Sequence, residues 1–274
     1  MKNITLGQYY PTGSVIHRLD GRIKLILAIM HIVSAFLCKS LASFAFLFLG
    51  TVVIILLSKI PLGVILRSVK TIVYIIIITF VLNMFFTVGE GEPLFSVWIF
   101  TLYVEGVWNA AFMALRILAL ILGTSLFISY TTTPIQLTDS IESLLSPLKK
   151  LKIPVHDFAM MMSIALRFIP TLSDETDRIM TAQKARGTDF TSGSLVKRAK
   201  ALIPVLVPLF VSAFRRADEL ATAMECRCYH GGEGRTKMTV PHLCATDFVA
   251  LLLMVGFCVS LVLLNGLDFG YKMI

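Results

Sequence analysis

Five stretches of apolar residues constrain the fold of this chain more than any other feature. They cover Leu25–Cys38, Leu41–Leu57, Thr71–Val88, Val107–Ile128 and Phe248–Leu264. A helix of about 20 apolar residues crosses the hydrocarbon core of a bilayer, and 56% of this chain is hydrophobic against only 15% charged. The sequence therefore predicts an all-α integral membrane protein with about five transmembrane helices, and it excludes a soluble globular protein.

Lysine and arginine are distributed unequally among the segments that flank these stretches. Residues 1–24 contain four of them, and the connections after the first, second and third stretch contain one, three and none. Residues 131–247 contain fifteen, and the C-terminal tail contains one. Because cytoplasmic loops carry an excess of lysine and arginine, we expect a multi-pass protein of the cell membrane. Its N-terminus and residues 131–247 would be cytoplasmic and its C-terminus outside.

The sequence predicts three regions: residues 1–130 as a membrane bundle of four spans, residues 131–247 as a cytoplasmic region, and residues 248–274 as the last span with its tail. The helices expected in the cytoplasmic region are Ile135–Leu145, Val155–Ile169 ending before Pro170, Leu172–Arg186 and Ala201–Cys228. Proline and charge interrupt them too often for spans, so we expect cytoplasmic or interfacial helices. Leu94–Val104 is too short to cross and is predicted to form a hairpin or a re-entrant segment. Its Trp98 and Tyr103 suit a position at the membrane interface.

A short repeat lies in the cytoplasmic region. When the sequence is shifted by 41 positions, four residues coincide: Asp177 with Asp218, Thr181 with Thr222, Ala182 with Ala223, and Arg186 with Arg227. Each copy begins with acidic residues and ends on an arginine, an order that suits the helix macrodipole. Gly187 follows the first copy, where helices commonly end in a left-handed residue. The pattern predicts two helices with an arginine near each C-terminal tip; two ordinary solvated helix ends are the alternative.

Several kinds of chemistry lack their sequence signatures. The glycine-rich segment Gly231–Gly234 is not followed by the Gly-Lys-Ser/Thr of a phosphate-binding loop, so we expect no ATP hydrolysis by this chain. Neither His-Glu-x-x-His nor Gly-x-Ser-x-Gly occurs. Cys226 and Cys228 lie near His230, but Cys-x-Cys differs from the usual zinc spacing and no second pair follows. We therefore predict a non-catalytic protein without a metal or a cofactor.

Charged residues are nearly absent from the five stretches. Arg116 is the only one inside them, and we interpret it as a snorkelling side chain or a helix–helix contact. Asp139 and Glu142 are expected to lie in the N-terminal turn of a helix near Thr138, where acidic residues are favoured.

The chain resembles the transmembrane T component of energy-coupling factor (ECF) transporters, which take up vitamins and transition-metal ions in prokaryotes. The family signature is a pair of Ala-Arg-Gly-like tripeptides on cytoplasmic coupling helices. Ala185-Arg186-Gly187 matches it fully, and Cys226-Arg227-Cys228 keeps the arginine but departs on both sides. Leu19–Lys24, Leu144–Leu148, Ala165–Pro170 and Lys200–Pro204 are also similar to the family.

The resemblance implies that the coupling helices dock onto two cytoplasmic ABC-type ATPases through Ala185, Arg186, Gly187, Cys226, Arg227 and Cys228. It also implies that the membrane part, within the lipid bilayer, holds a separate substrate-binding S component. That component would carry the specificity, so the sequence does not name the substrate, and no nucleic acid is expected. The alternative is a stand-alone secondary transporter or a membrane enzyme. A secondary transporter would need an intramembrane acid or a broken span.

Overall fold

The computed structural model describes residues 9–87, 95–97, 100–152, 154–231 and 243–266. The chain forms two compact units. The membrane unit comprises Gly7–Ser140 and Pro241–Ile274, and the tip unit comprises Met1–Leu6 and Ile141–Val240.

The described elements are almost all helical. In chain order they are α1 (Val15–Arg18), α2 (Gly21–Leu37), α3 (Leu41–Ser58), α4 (Leu62–Phe86), β1 (Phe95–Val97), β2 (Phe100–Leu102), α5 (Val104–Thr124), α6 (Pro134–Leu144), α7 (Val155–Ala185), α8 (Leu195–Glu225) and α9 (Ala245–Gly266). A π-helix, Ser125–Tyr130, continues α5, and a 3-10 helix, Ser146–Leu151, follows α6.

Four described helical segments are long and apolar enough to cross a membrane: Leu41–Ser58, Leu62–Phe86, Val104–Tyr130 and Ala245–Gly266. They correspond to four of the five predicted spans and confirm an all-α membrane protein. The remaining predicted span belongs to α2, whose 17 residues are at the lower limit for crossing a bilayer.

Small residues allow the helices of the membrane unit to pack closely. Ala28, Ala35, Ala110 and Ala119 are at most 1% exposed. A Cβ at Gly123 on α5 would overlap the ring of His31 on α2. In lipid, where water does not drive helices together, such close backbone approach is a main source of helix association.

Helices α2 and α9 extend beyond the predicted apolar stretches, and each includes one buried charged residue. α2 includes Lys24, which is only 2% exposed, and α9 includes Asp247, which is also 2% exposed. Lys24 Nζ donates to the carbonyl oxygens of His17 (3.0 Å) and Thr131 (2.7 Å). The helices extend past the apolar stretches because backbone hydrogen bonding continues until a cap ends it, whatever the hydropathy.

Arg116 on α5 joins two parts of the membrane unit. Its Nη2 donates to the carbonyl oxygen of Cys38 at 3.1 Å. Its guanidinium lies 5.8 Å from the ring centre of Phe36 and 5.9 Å from that of Phe44. The side chain therefore makes a helix–helix contact, one of the two interpretations made from the sequence.

The segment that was too short to cross the membrane is a hairpin. β1 and β2 pair in antiparallel register, with Phe95 opposite Leu102 and Val97 opposite Phe100. Trp98, expected at the membrane interface, lies outside the described residues.

In the tip unit, the helix break predicted at Pro170 is wrong. α7 runs for 31 residues through Pro170, and α8 runs for 31 residues through Pro204 and Pro208. A proline removes one backbone hydrogen bond, and here the neighbouring turns maintain the helix across that gap.

The N-terminal turn predicted near Thr138 is also wrong. α6 begins at Pro134, and Thr133 caps it by accepting a hydrogen bond from the backbone N–H of Gln136 at 3.3 Å. Glu142 therefore lies in the second half of α6, where one of its carboxylate oxygens contacts His156 Nδ1 at 3.0 Å. A proline at the first helical position explains the earlier start.

Candidate docking site at two arginine-tipped helices

α7 and α8 end in the same hydrogen-bonding pattern. At the end of α7, Gly187 N–H donates to the carbonyl of Lys184 at 2.9 Å, and Thr188 N–H donates to that of Gln183 at 3.0 Å. At the end of α8, the corresponding bonds are Cys228 to Glu225 at 2.8 Å and Tyr229 to Met224 at 3.1 Å. Both ends are Schellman caps, and each residue of one cap lies 41 positions from its counterpart in the other.

The two caps differ in the residue that takes the left-handed conformation. It is Gly187 in the first, with φ 88°, and Cys228 in the second, with φ 55°. A side chain costs on the order of 1 kcal/mol in this region, a cost that glycine avoids. The helix end predicted at Gly187 is thus confirmed, and the same conformation recurs at a cysteine.

The six predicted docking residues are all exposed at the two helix ends: Ala185, Arg186, Gly187, Cys226, Arg227 and Cys228. Within the described part of the chain, neither Arg186 nor Arg227 makes a side-chain hydrogen bond or an ion pair. Each guanidinium can therefore offer its fork of N–H donors to an external carboxylate.

An ion pair holds α7 against α8. Arg216 Nη2 donates to Glu175 Oε2 at 2.9 Å. A second contact joins Gln183 on α7 to Pro204 on α8, so the two helices run in opposite directions. Arg186 and Arg227 each lie about 16 Å of helix beyond the ion pair, which places the two arginine tips toward opposite ends of the pair.

The second contact follows from the prolines of α8. Pro208 has no N–H, so the carbonyl of Pro204 lacks its partner within the helix. Gln183 Nε2 donates to that carbonyl at 3.4 Å. The prolines thus leave one carbonyl oxygen of α8 available as an acceptor, and Gln183, close to the first tip, donates to it.

Two carboxylates of the tip unit have a lowered pKa. The hydroxyl of Ser212 lowers the pKa of Glu175 most, and Arg216 and Arg178 lower it further. In the connection after the first tip, hydrogen bonds from Ser192 and Thr191 hold the pKa of Asp189 well below its usual range. Both groups are therefore ionised at neutral pH, and Asp189 organises the loop between α7 and α8.

The repeated residues of α7 share one face. Three of them, Asp177, Thr181 and Ala182, line a shallow surface depression next to Arg186, together with Arg178 and Ala185. The residues three and four apart on a helix lie on the same side, so the repeat preserves a face as well as a tip.

Sequence reasoning missed the ion pair between Glu175 and Arg216, although a signal for it was present. Both residues lie in the repeat, separated by its period of 41 positions. Among the described residues, no cluster of three or more histidine, cysteine or acidic side chains could hold a metal ion.

The fold and the paired arginine tips define the class: a polytopic helical membrane protein with two long helices that each end in an exposed arginine. The family model described as cobalt transport protein matches residues 12–238. The energy-coupling factor transporter transmembrane protein of Clostridium kluyveri is 52% identical over 262 residues, covering 95% of this chain and 97% of the relative. The Bacillus subtilis protein of the same name is 50% identical over 237 residues, covering 86% and 89%. The chain belongs to the family of energy-coupling factor transporter transmembrane proteins (EcfT), and it is a membrane subunit of a transporter.

Proposed function

We propose that this chain transmits the energy of ATP hydrolysis from two cytoplasmic ABC-type ATPases to a separate membrane-embedded S component, which takes up a vitamin or another micronutrient. The observation that carries the proposal is the pair of like-capped, exposed arginine tips on one helix pair. Two similar tips that lie toward opposite ends of the pair suit two similar partner subunits.

Each arginine acts as a docking anchor. A guanidinium can bind a carboxylate bidentately in a groove of the partner. Ala185 and Gly187 flank Arg186 with little bulk, whereas Cys226 and Cys228 flank Arg227 with larger side chains. The unequal tips favour two ATPases that are similar but not identical.

The contact between α7 and α8 supports a transmission role. Because the ion pair of Glu175 and Arg216 joins the helices between their tips, a force on either tip reaches the other helix. Closure of the ATPases on ATP would then displace both helices together. α8 also exposes a set of large apolar side chains that a membrane-embedded partner or the bilayer would cover: Ile203, Val207, Phe210 and Phe214.

The proposed orientation puts the tip unit in the cytoplasm, where the ATPases bind nucleotide. The excess of lysine and arginine in residues 131–247 supports it. Stand-alone secondary transport has less support, because the buried charges of Lys24 and Asp247 are engaged by backbone groups near helix ends.

Affinity purification from native membranes, followed by mass spectrometry, tests the proposal. We expect two ATPases and at least one small membrane protein to co-purify with the tagged chain. ATP hydrolysis should be present in the complex and absent from the isolated chain. Nucleotide hydrolysis by the isolated chain, or purification free of ATPases under conditions that preserve other membrane complexes, would contradict it.

A further inference from the structure

The membrane unit contains an apolar groove that the docking role does not use. The groove has a volume of about 650 Å³ and lies between α1, α2, α3 and α9. Its floor includes Leu27 and Phe127, each 3% exposed, and its rim includes Leu49 and Leu253, which are more than 60% exposed.

Two polar side chains of the lining, His31 and Thr51, contact backbone carbonyls. His31 Nε2 lies 3.1 Å from the carbonyl oxygen of Ala119. The hydroxyl of Thr51 donates to the carbonyl of Leu47 at 2.8 Å. Since both groups are engaged by backbone carbonyls, the groove suits a hydrocarbon occupant.

The length of the groove matches one leaflet. Along α9 its lining extends from Ala245 to Phe257, which is about 18 Å of helix. Half of the hydrocarbon core of a bilayer is about 15 Å. The rings of Phe46 and Phe257 stack at 4.8 Å between ring centres and close the inner end. The groove therefore accommodates one acyl chain that enters from one side of the membrane.

Two exposed basic residues lie close in sequence to lining residues at the open end. Arg18 precedes the lining residue Leu19, and Lys59 follows the lining residue Leu57 by two positions; both basic residues are exposed. The hydroxyl of Thr12 donates to the carbonyl of Ser58 at 2.7 Å, which brings the segment before α1 to the end of α3.

Arg22 adds a third cation at this end. Its Nε is buried and, among the described residues, has no hydrogen-bond partner. Two acidic residues, Asp20 and Asp247, lie here as well. Asp20 accepts a hydrogen bond from the backbone N–H of Arg22, and Asp247 accepts hydrogen bonds from those of Asp20 and Cys244. Three basic residues against two carboxylates leave the mouth with a net positive charge.

We propose that this groove binds an anionic phospholipid, with one acyl chain along α9 and the phosphate at Arg18 and Lys59. The basic mouth selects the charge of the headgroup, and the closed apolar floor holds the chain. The bound lipid fills the space between α2, α3 and α9, so it acts as a structural part of the membrane unit. This inference does not depend on the docking of ATPases.

Native mass spectrometry of the full-length chain in mild detergent tests the lipid site. Phosphatidylglycerol and phosphatidylcholine of identical acyl chains are titrated separately, with free palmitate as a third arm. We expect retention of phosphatidylglycerol roughly tenfold above phosphatidylcholine, since each basic residue near a membrane surface favours an anionic lipid. Equal retention of the two phospholipids, or stronger retention of palmitate, would overturn the proposal.

Two matched pairs of variants separate the headgroup from the chain. Arg18→Gln with Lys59→Gln should abolish the preference for phosphatidylglycerol. Lys39→Gln with Lys70→Gln, at exposed positions away from the groove, should preserve it.

The second pair of variants tests the acyl chain. Leu253→Trp should reduce retention of both phospholipids, whereas Leu252→Trp, at the neighbouring exposed position outside the groove, should not. If Leu253→Trp retained lipid as well as Leu252→Trp, the proposal would be wrong. It would also be wrong if a photocrosslinker at position 253 captured a protein subunit and no lipid in native membranes, because the groove would then be a protein interface.

Discussion

Glu175 and Arg216 form an ion pair of 2.9 Å between α7 and α8, and they occupy equivalent positions of the 41-residue repeat. When equivalent residues of two antiparallel helices meet, the helices are related by a local two-fold arrangement. Arg186 and Arg227 are then equally far from the contact, one toward each end. The ion pair thus marks the centre of the helix pair that presents the arginine tips.

We predict that reversing either charge of this central pair weakens coupling and that exchanging both restores it. Glu175→Arg and Arg216→Glu each place like charges in contact, whereas the double exchange recreates the attraction in the opposite sense. Substrate uptake in membrane vesicles should fall in both single variants and recover in the double variant. Failure of the double variant to recover, with normal expression, would show that the contact has no role in coupling.

Acid should weaken the ion pair of Glu175 and Arg216. The pKa of Glu175 is lowered in the folded protein, so its contribution is present above the ordinary pKa of a glutamate and is lost as the pH falls through the lowered value. Unfolding of the tip unit, followed by hydrogen exchange, should therefore become easier in acid. Glu175→Gln should show a smaller pH effect over that range.

For the arginine tips, we predict that two charge reversals damage assembly far more than one. Truncation of one partner of a desolvated charge pair costs on the order of 2–5 kcal/mol, and Arg→Glu adds repulsion to that loss. A single variant, Arg186→Glu or Arg227→Glu, should keep both ATPases through the remaining tip, which stays at high effective concentration. The double variant should release them, as measured by co-purification.

Uptake should fail even in the single variants that still assemble, because one ATPase no longer acts on its helix. Lys184→Glu, next to the first tip, is a control for charge alone. A double variant that retained both ATPases and normal uptake would make the two arginines ordinary solvated helix ends.

Glycine and cysteine at the left-handed position should respond in opposite ways to substitution. Gly187→Ala adds a Cβ that contacts nothing, so its cost is purely conformational, about 1 kcal/mol. Cys228→Gly should remove a cost of similar size at the second tip. Thermal unfolding in detergent should shift down for the first and up for the second. A shift of the unfolding temperature in the same direction for both variants would contradict the conclusion that α7 and α8 end in the same Schellman cap.

Close packing of α2 on α5 leads to a prediction in the membrane unit. Gly123→Ala should destabilise the protein, because the added Cβ overlaps the ring of His31. The second change His31→Ser should relieve much of that effect by removing the ring. Gly63→Ala is the control, since a Cβ there contacts nothing. If Gly123→Ala and Gly63→Ala unfolded at the same temperature, α2 and α5 would not pack as the structure has them.

The proposed orientation can be tested by labelling in a cysteine-free background. A cysteine at position 271 should react with an impermeant thiol reagent on intact cells, and one at position 194 should react only after the cells are opened. The charge distribution of the loops is the physical reason. Labelling of position 194 alone on intact cells would reverse the orientation.

Much of the helical structure could be predicted because its causes are local. Apolar length identified the regions of α3, α4, α5 and α9, and the repeat identified the ends of α7 and α8. The errors also have local causes. The sequence predicted a helix end at Pro170, because proline often ends a helix. In the structure α7 continues through Pro170, since the intact turns on both sides and the packing against α8 preserve it.

The sequence by itself determined that this is a helical membrane protein with two arginine-tipped helices, because hydropathy, charge and caps act over a few residues. Only the tertiary structure decided which distant groups meet. Lys24 reaches the carbonyl of Thr131, Glu175 meets Arg216, and α3 and α9 enclose the apolar groove. These contacts join residues 41 or more positions apart, and their geometry depends on how whole helices pack, which no local pattern of residues specifies.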